Sequence, residues 1–206
     1  MEEAARHRAQ QQGLRSLARS QRVAVLRRAA GLINRINEQR AQCIEAVALL
    51  ERVASLVRIR VEPVATAIAV QGSFGAVQLG TAVDGIIPLT ADATVLRDPR
   101  MNDWAGAGHL FLYARQERIM FDPTLDQVGP NIGFPIGPLI QEIEPSWLDG
   151  DIPFEIDDEH KVLYRIVRTD TTWRPGYNMV FAMNGGRARQ VLARALELEG
   201  LDAKIV

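Results

Sequence analysis

Residues 43–57, CIEAVALLERVASLV, followed by residues 59–70, IRVEPVATAIAV, decide how the chain folds. In the first stretch Ile44, Val47, Ala48, Leu50, Val53, Ala54 and Val57 recur mostly at intervals of three and four, with no glycine or proline between them. That period predicts an amphipathic helix with Cys43 at its front edge. In the second stretch the period drops toward two and the residues become β-branched, which predicts a strand. Pro63 lacks an amide hydrogen, so its position predicts an edge strand or a bulge.

On the N-terminal side, Leu14, Leu17, Val25, Leu26, Ala29, Leu32, Ile33 and Ile36 give residues 1–36 a helical period. Gly13 and Ser20 divide this run, and Asn34 and Asn37 point to its end. Residues 1–40 carry nine arginines (Arg6, Arg8, Arg15, Arg19, Arg22, Arg27, Arg28, Arg35, Arg40) against Glu2, Glu3 and Glu38, so this part is +6 and residues 41–206 are −7. Basic arms bind nucleic acid or an acidic surface. The plainer alternative is a solvated helix face docked on an acidic body. No aromatic residues interleave the arginines, which argues against a single-strand binder. The arginine-rich helices also offer a docking surface for a protein partner.

On the C-terminal side, Gly72, Gly75, Gly80, Gly85 and Pro88 punctuate residues 71–104, an expected insertion with short strands. Residues 109–114 and 118–121 are two strands joined by a tight turn at Arg115–Glu117, a hairpin. Residues 129–153 hold nine Gly or Pro and are expected to be loop, with GPNIGFPIGP as a rim or lid. Residues 161–168 form one more strand. Residues 187–199 form a helix after Gly185-Gly186, stopped by Gly200. The organisation expected is an arginine-rich helical region over 1–36 and a domain over 37–206, with helices preceding strands in an α+β class.

Composition narrows the function. The 206 residues are 47% hydrophobic and 24% charged, an ordinary globular balance. No run of 18 apolar residues exists, which excludes a spanning helix, and no apolar leader opens the chain; a cytoplasmic setting is expected. One cysteine allows no internal disulfide. Neither GxxxxGK[ST] nor GxGxxG occurs, so no phosphate cradle is present. A metal site at His109, Asp122 and Asp126 needs a further His or Cys, so no metal and no cofactor is expected.

Three residue types remain that carry chemistry. His7 lies near the terminus and His160 in an acidic turn, leaving His109 as the histidine that opens an apolar strand. Cys43 opens an apolar helix, and a helix start favours a thiolate. Asp122 ends the strand expected to pair with that of His109, close enough to fix the imidazole tautomer. Each has a plain reading too: a small buried hydrophobe, a satisfied polar residue, a turn former. Asp126 is the second candidate for the orienting carboxylate.

The order Cys, His, Asp and the local words AQCIEAVALLERVASLVRIRVEPV and GHLFLYARQERIMFDPTLDQ resemble the transglutaminase-like branch of the papain-like cysteine fold, over about residues 38–127. The resemblance implies a Cys-bearing helix packed on an antiparallel sheet, with Cys43 as nucleophile, His109 as general base and acid, and Asp122 orienting His109. It implies acyl transfer, or amide or peptide hydrolysis, through a thioester. Papain-type members place a glutamine six residues before the cysteine, where this chain has Asn37; Gln42 and Gln39 are the candidate oxyanion donors, with the backbone amides that open the Cys43 helix. The alternative is an inactive papain-like interaction module serving as a subunit of a larger assembly.

Overall fold

A computed structural model describes residues 13–14, 16–37, 43–72, 75–80, 95–97, 108–128 and 136–203. Among them, four helices and one curled sheet form an α+β architecture. The helices are α1 (Arg19–Asn37), α2 (Cys43–Leu56), α3 (Arg174–Met183) and α4 (Gly185–Leu198). The strands are β1 (Glu62–Gly72), β2 (Gly75–Leu79), β3 (Val95–Arg97), β4 (His109–Ala114), β5 (Ile119–Asp122), β6 (Leu139–Glu142), β7 (Asp151–Glu155) and β8 (Lys161–Ile166). Every pairing is antiparallel except β2 with β3.

The period-two pattern of β1 sorts its side chains onto two cores. Ala65, Ala67 and Ala69 face the helices, packing with Leu49, Leu50 and Val53 of α2 and with Leu110 and Leu112 of β4. Small side chains there leave room for α2 to lie close. Ile68 and Val70 face a second core with Phe111, Tyr113, Met120, Val162 and Tyr164, enclosed by the curl of the sheet.

Pro63 sits in a central strand, a correction to the edge or bulge expected from sequence. β4 pairs with residues 62–66 of β1, β2 with 68–72 and β8 with 66–71. A strand has two edges, and both β4 and β2 overlap β8 in register, so β4 and β2 share one edge end to end. Pro63 lies ahead of the reach of β8, at the beginning of the strand, where a missing donor is tolerated. The seam between β2 and β4 is tight. A Cβ on Gly108 would lie 2.6 Å from the Gly80 Cα and 2.8 Å from the Leu79 carbonyl carbon.

Helix α2 ends without a glycine. Arg58 takes the left-handed conformation at φ 60°, and Ile59 N–H donates to the Ala54 carbonyl at 2.9 Å. Helix α4 ends the usual way, with Gly200 at φ 69° and Leu201 N–H donating to the Leu196 carbonyl at 2.9 Å.

Helix α1 packs on the body. Val25, Leu26, Ala29, Ala30 and Ile33 are buried in the helix-side core. Arg19 donates to Glu117 Oε1 at 3.0 Å and to the Gln116 carbonyl at 2.6 Å, and Arg28 donates to Glu199 Oε1 at 2.8 Å. A bend at Leu17 and Ala18 separates α1 from the helical residues before it, next to the break expected at Ser20, and it ends at Asn37, one of the two expected stops.

Four elements depart from the expectations. Residues 129–153 were expected as loop, yet β6, a 3-10 turn at Pro145–Asp149 and β7 lie within them. β7 and β8 form a hairpin around residues 156–160, with His160 Nδ1 2.7 Å from Asp157 Oδ1. Helix α3 has no counterpart in the expectations; Pro175 sits in its first turn, and the Tyr177 hydroxyl donates to Glu51 of α2. Residues 129–135 and most of 71–104 lie outside the described residues.

Substituting Gly108→Ala is expected to lower stability by about 1–3 kcal/mol, because backbone must move to admit the methyl. Gly186→Ala in α4 meets nothing within 4 Å and is expected to raise it by about 0.4–1 kcal/mol. Urea melts of the two variants check both signs.

Candidate active site

The hairpin brings His109 and Asp122 together. β4 and β5 pair Leu112 with Phe121, Tyr113 with Met120 and Ala114 with Ile119. Continued by one step, this register places Asp122 opposite Phe111, so His109 is its diagonal neighbour on the same face. His109 Nε2 lies 2.7 Å from Asp122 Oδ2, and both side chains are fully shielded from solvent.

The Asp122 carboxylate is held by three donors. Besides the imidazole, Oδ2 accepts from the Tyr164 hydroxyl at 2.7 Å, and Oδ1 accepts from the Thr124 backbone N–H at 3.0 Å. A buried carboxylate needs such donors, because stripping its water without replacement costs several kcal/mol (order of magnitude). Tyr164 belongs to β8, three strand steps from β5 through β1 and β4. At about 4.8 Å per step a flat sheet would hold these strands about 14 Å apart. The curl of the sheet closes that span. Phe111 and Phe154 pack edge-on against the Tyr164 ring, at 5.8 and 5.9 Å between centroids.

Cys43 is the first residue of α2 and is buried. Together with Asp122, it is among the groups that favour the charged form of the His109 ring. Burial alone would push the imidazole pKa down. The charge and hydrogen bond of Asp122, with Cys43 beside it, outweigh burial and push it up to about 10. Burial and the neighbouring Asp122 hold the Tyr164 phenol protonated, well above its ordinary range.

Two supports fix the surroundings. Asn34 of α1 donates through Nδ2 to the Pro123 carbonyl at 3.1 Å, pinning the turn that follows Asp122. Arg187 of α4 donates to Glu45 in the first turn of α2, two residues beyond Cys43.

Of the three residues singled out from sequence, the structure joins His109 to Asp122 and places Cys43 at the start of α2. Asp126 falls instead in the 3-10 turn Leu125–Val128, and it is Asp122 that holds the imidazole. Gln39 and Gln42 lie outside the described residues. Sequence reasoning did not identify Tyr164 or Gln127. The side-chain amide of Gln127 contacts His109 Nδ1. Gln127 ends the word DPTLDQ, so its nearness to Asp122 in the chain was the available signal; Tyr164 offered none without the topology. Among the described residues, no group of three or more His, Cys, Asp or Glu is arranged to hold a metal ion, and no helix is long and apolar enough to cross a membrane. The chain matches no protein-family profile, no curated protein and no solved structure.

Two outcomes follow. Folding favours the protonated imidazole, raised from 6.5 to about 10, so its stabilisation is complete below about pH 6.5 and is lost as pH rises toward about 10. In a Cys43→Ser background, which removes the thiol titration, the stability gap between Asp122 and Asp122→Asn proteins is expected to be widest below about pH 6.5 and to shrink toward about pH 10. A pH-independent gap in urea melts would contradict this origin of the shift. Tyr164→Phe removes one donor to a buried carboxylate and is expected to cost about 1.5–3 kcal/mol by the same measurement.

Proposed function

We propose that this chain is a papain-like, transglutaminase-like enzyme that transfers acyl groups, or hydrolyses amides or peptides, through a Cys43 thioester. The observation that carries this reading is the buried His109 imidazole bound at 2.7 Å by the buried Asp122 carboxylate, with Cys43 at a helix start among the groups that favour its charged form. Nucleophile, base and orienting group occur in the order that nucleophilic catalysis requires.

The roles follow from the ring's two nitrogens. Nε2–H donates to Asp122, which leaves Nδ1 to serve the thiol. In the resting pair the Cys43 proton already sits on Nδ1, and Sγ attacks the carbonyl carbon of an amide or ester as the thiolate. The C–S bond forms and the oxygen takes negative charge, held by free backbone amides in the first turn of α2. The C–N or C–O bond breaks as the imidazolium returns its proton to the leaving group. Water or an amine, deprotonated by His109, then attacks the thioester and releases Cys43. An imidazole that stays protonated across neutral pH is a resident cation beside the nucleophile and a ready acid for the leaving group.

Iodoacetamide alkylation tests the reading cleanly because Cys43 is the only thiol. The rate is expected to stay high down to about pH 5–6 and to collapse in His109→Ala. A slow rate that rises only above about pH 8 and ignores His109 would leave a buried structural cysteine in an interaction module.

A further inference from the structure

His109 Nδ1 has one hydrogen-bonding position in the ring plane, either a lone pair or an N–H. The Gln127 side-chain amide contacts it, and the acyl-transfer reading needs the same nitrogen for the Cys43 thiol. Gln127 is held there by its own backbone. Its N–H donates to the Thr124 carbonyl at 3.0 Å, and Leu125 and Val128 on either side of it are buried. The same turn is pinned from α1 through Asn34 and the Pro123 carbonyl. This is a fixed arm carrying an amide onto the nitrogen the mechanism needs.

We propose that Gln127 is a positioning residue that competes with Cys43 for His109 Nδ1, restraining the thiol–imidazole pair until the amide turns away. The inference rests on the acyl-transfer reading above. An amide suits this role because it fits both protonation states. Toward a bare Nδ1 it donates through Nε2; toward Nδ1–H it accepts through Oε1 after a half-turn of the amide. When Oε1 accepts the proton of Nδ1–H, that proton is less available to the sulfur. The titratable groups facing the ring are Asp122 of β5 and Cys43 of α2, with Tyr164 of β8 behind Asp122. β1 presents Thr66 opposite His109, which does not titrate. Asp126, next to Gln127 in the chain, is the remaining acid of the 3-10 turn.

The experiment compares Gln127→Met and Gln127→Glu with the unaltered chain, reading the iodoacetamide alkylation rate of Cys43 against pH. Met keeps the length and removes the hydrogen bond. Loss of one competing bond is expected to speed alkylation at about pH 6 by roughly three- to ten-fold. Glu places a carboxylate on Nδ1–H and beside the sulfur, and is expected to slow it at least about ten-fold at the same pH. A Gln127→Met rate that is unchanged, or that falls toward the His109→Ala rate, overturns the proposal. If alkylation of the unaltered chain ignores His109→Ala, the acyl-transfer reading fails by itself. The nitrogen-15 resonance of His109 Nδ1 then judges this inference separately: a shift on Gln127→Met supports the contact, and no shift overturns it.

Discussion

The buried contact between His109 and Asp122 is the constraint on which the rest of the structure depends. A carboxylate without water is tolerated only when donors surround it. Here they come from β4, from β8 and from the turn after β5. These elements are distant in the chain, and the sheet must curl for Tyr164 to reach Asp122. The fold and the site are therefore one problem: the same curl that encloses Phe111, Tyr113 and Tyr164 in a second core delivers the third donor.

The helix layer solves the complementary problem of placing a sulfur. α2 is buried along Ala46 to Leu50 and again at Val53 and Ala54, and it lies against the alanines of β1. Its position along the sheet is set by that packing and by the Arg187 tie to Glu45. Cys43 thus opens a rigid element, with the first-turn amides beside it.

Much of this was legible in the sequence, and the reasons are physical. The helix over 43–57 and the hairpin over 109–121 announce themselves because burial on one side imposes a period of 3.6 or 2. The hairpin then fixes which of several histidines and aspartates meet. β6 and β7 were not legible because glycine and proline density masks short strands, and pairing within a sheet is a non-local property. β1 read as an edge strand because Pro63 was weighed without knowing where β8 stops. Tyr164 illustrates the limit most clearly. Period two assigns it to one face of β8, but only the order of strands reveals that the face looks at Asp122.

Two arginines of α1, Arg19 and Arg28, tie the helix to Glu117 and Glu199. Under the proposed function, Cys43, His109 and Asp122 act as one acyl-transfer unit. The most direct test is intact-mass analysis after brief exposure to an activated ester such as p-nitrophenyl acetate at neutral pH. One acyl group is expected on Cys43 in the unaltered chain and none on the same timescale in His109→Ala. Acylation that is absent from both, or equal in both, would contradict it.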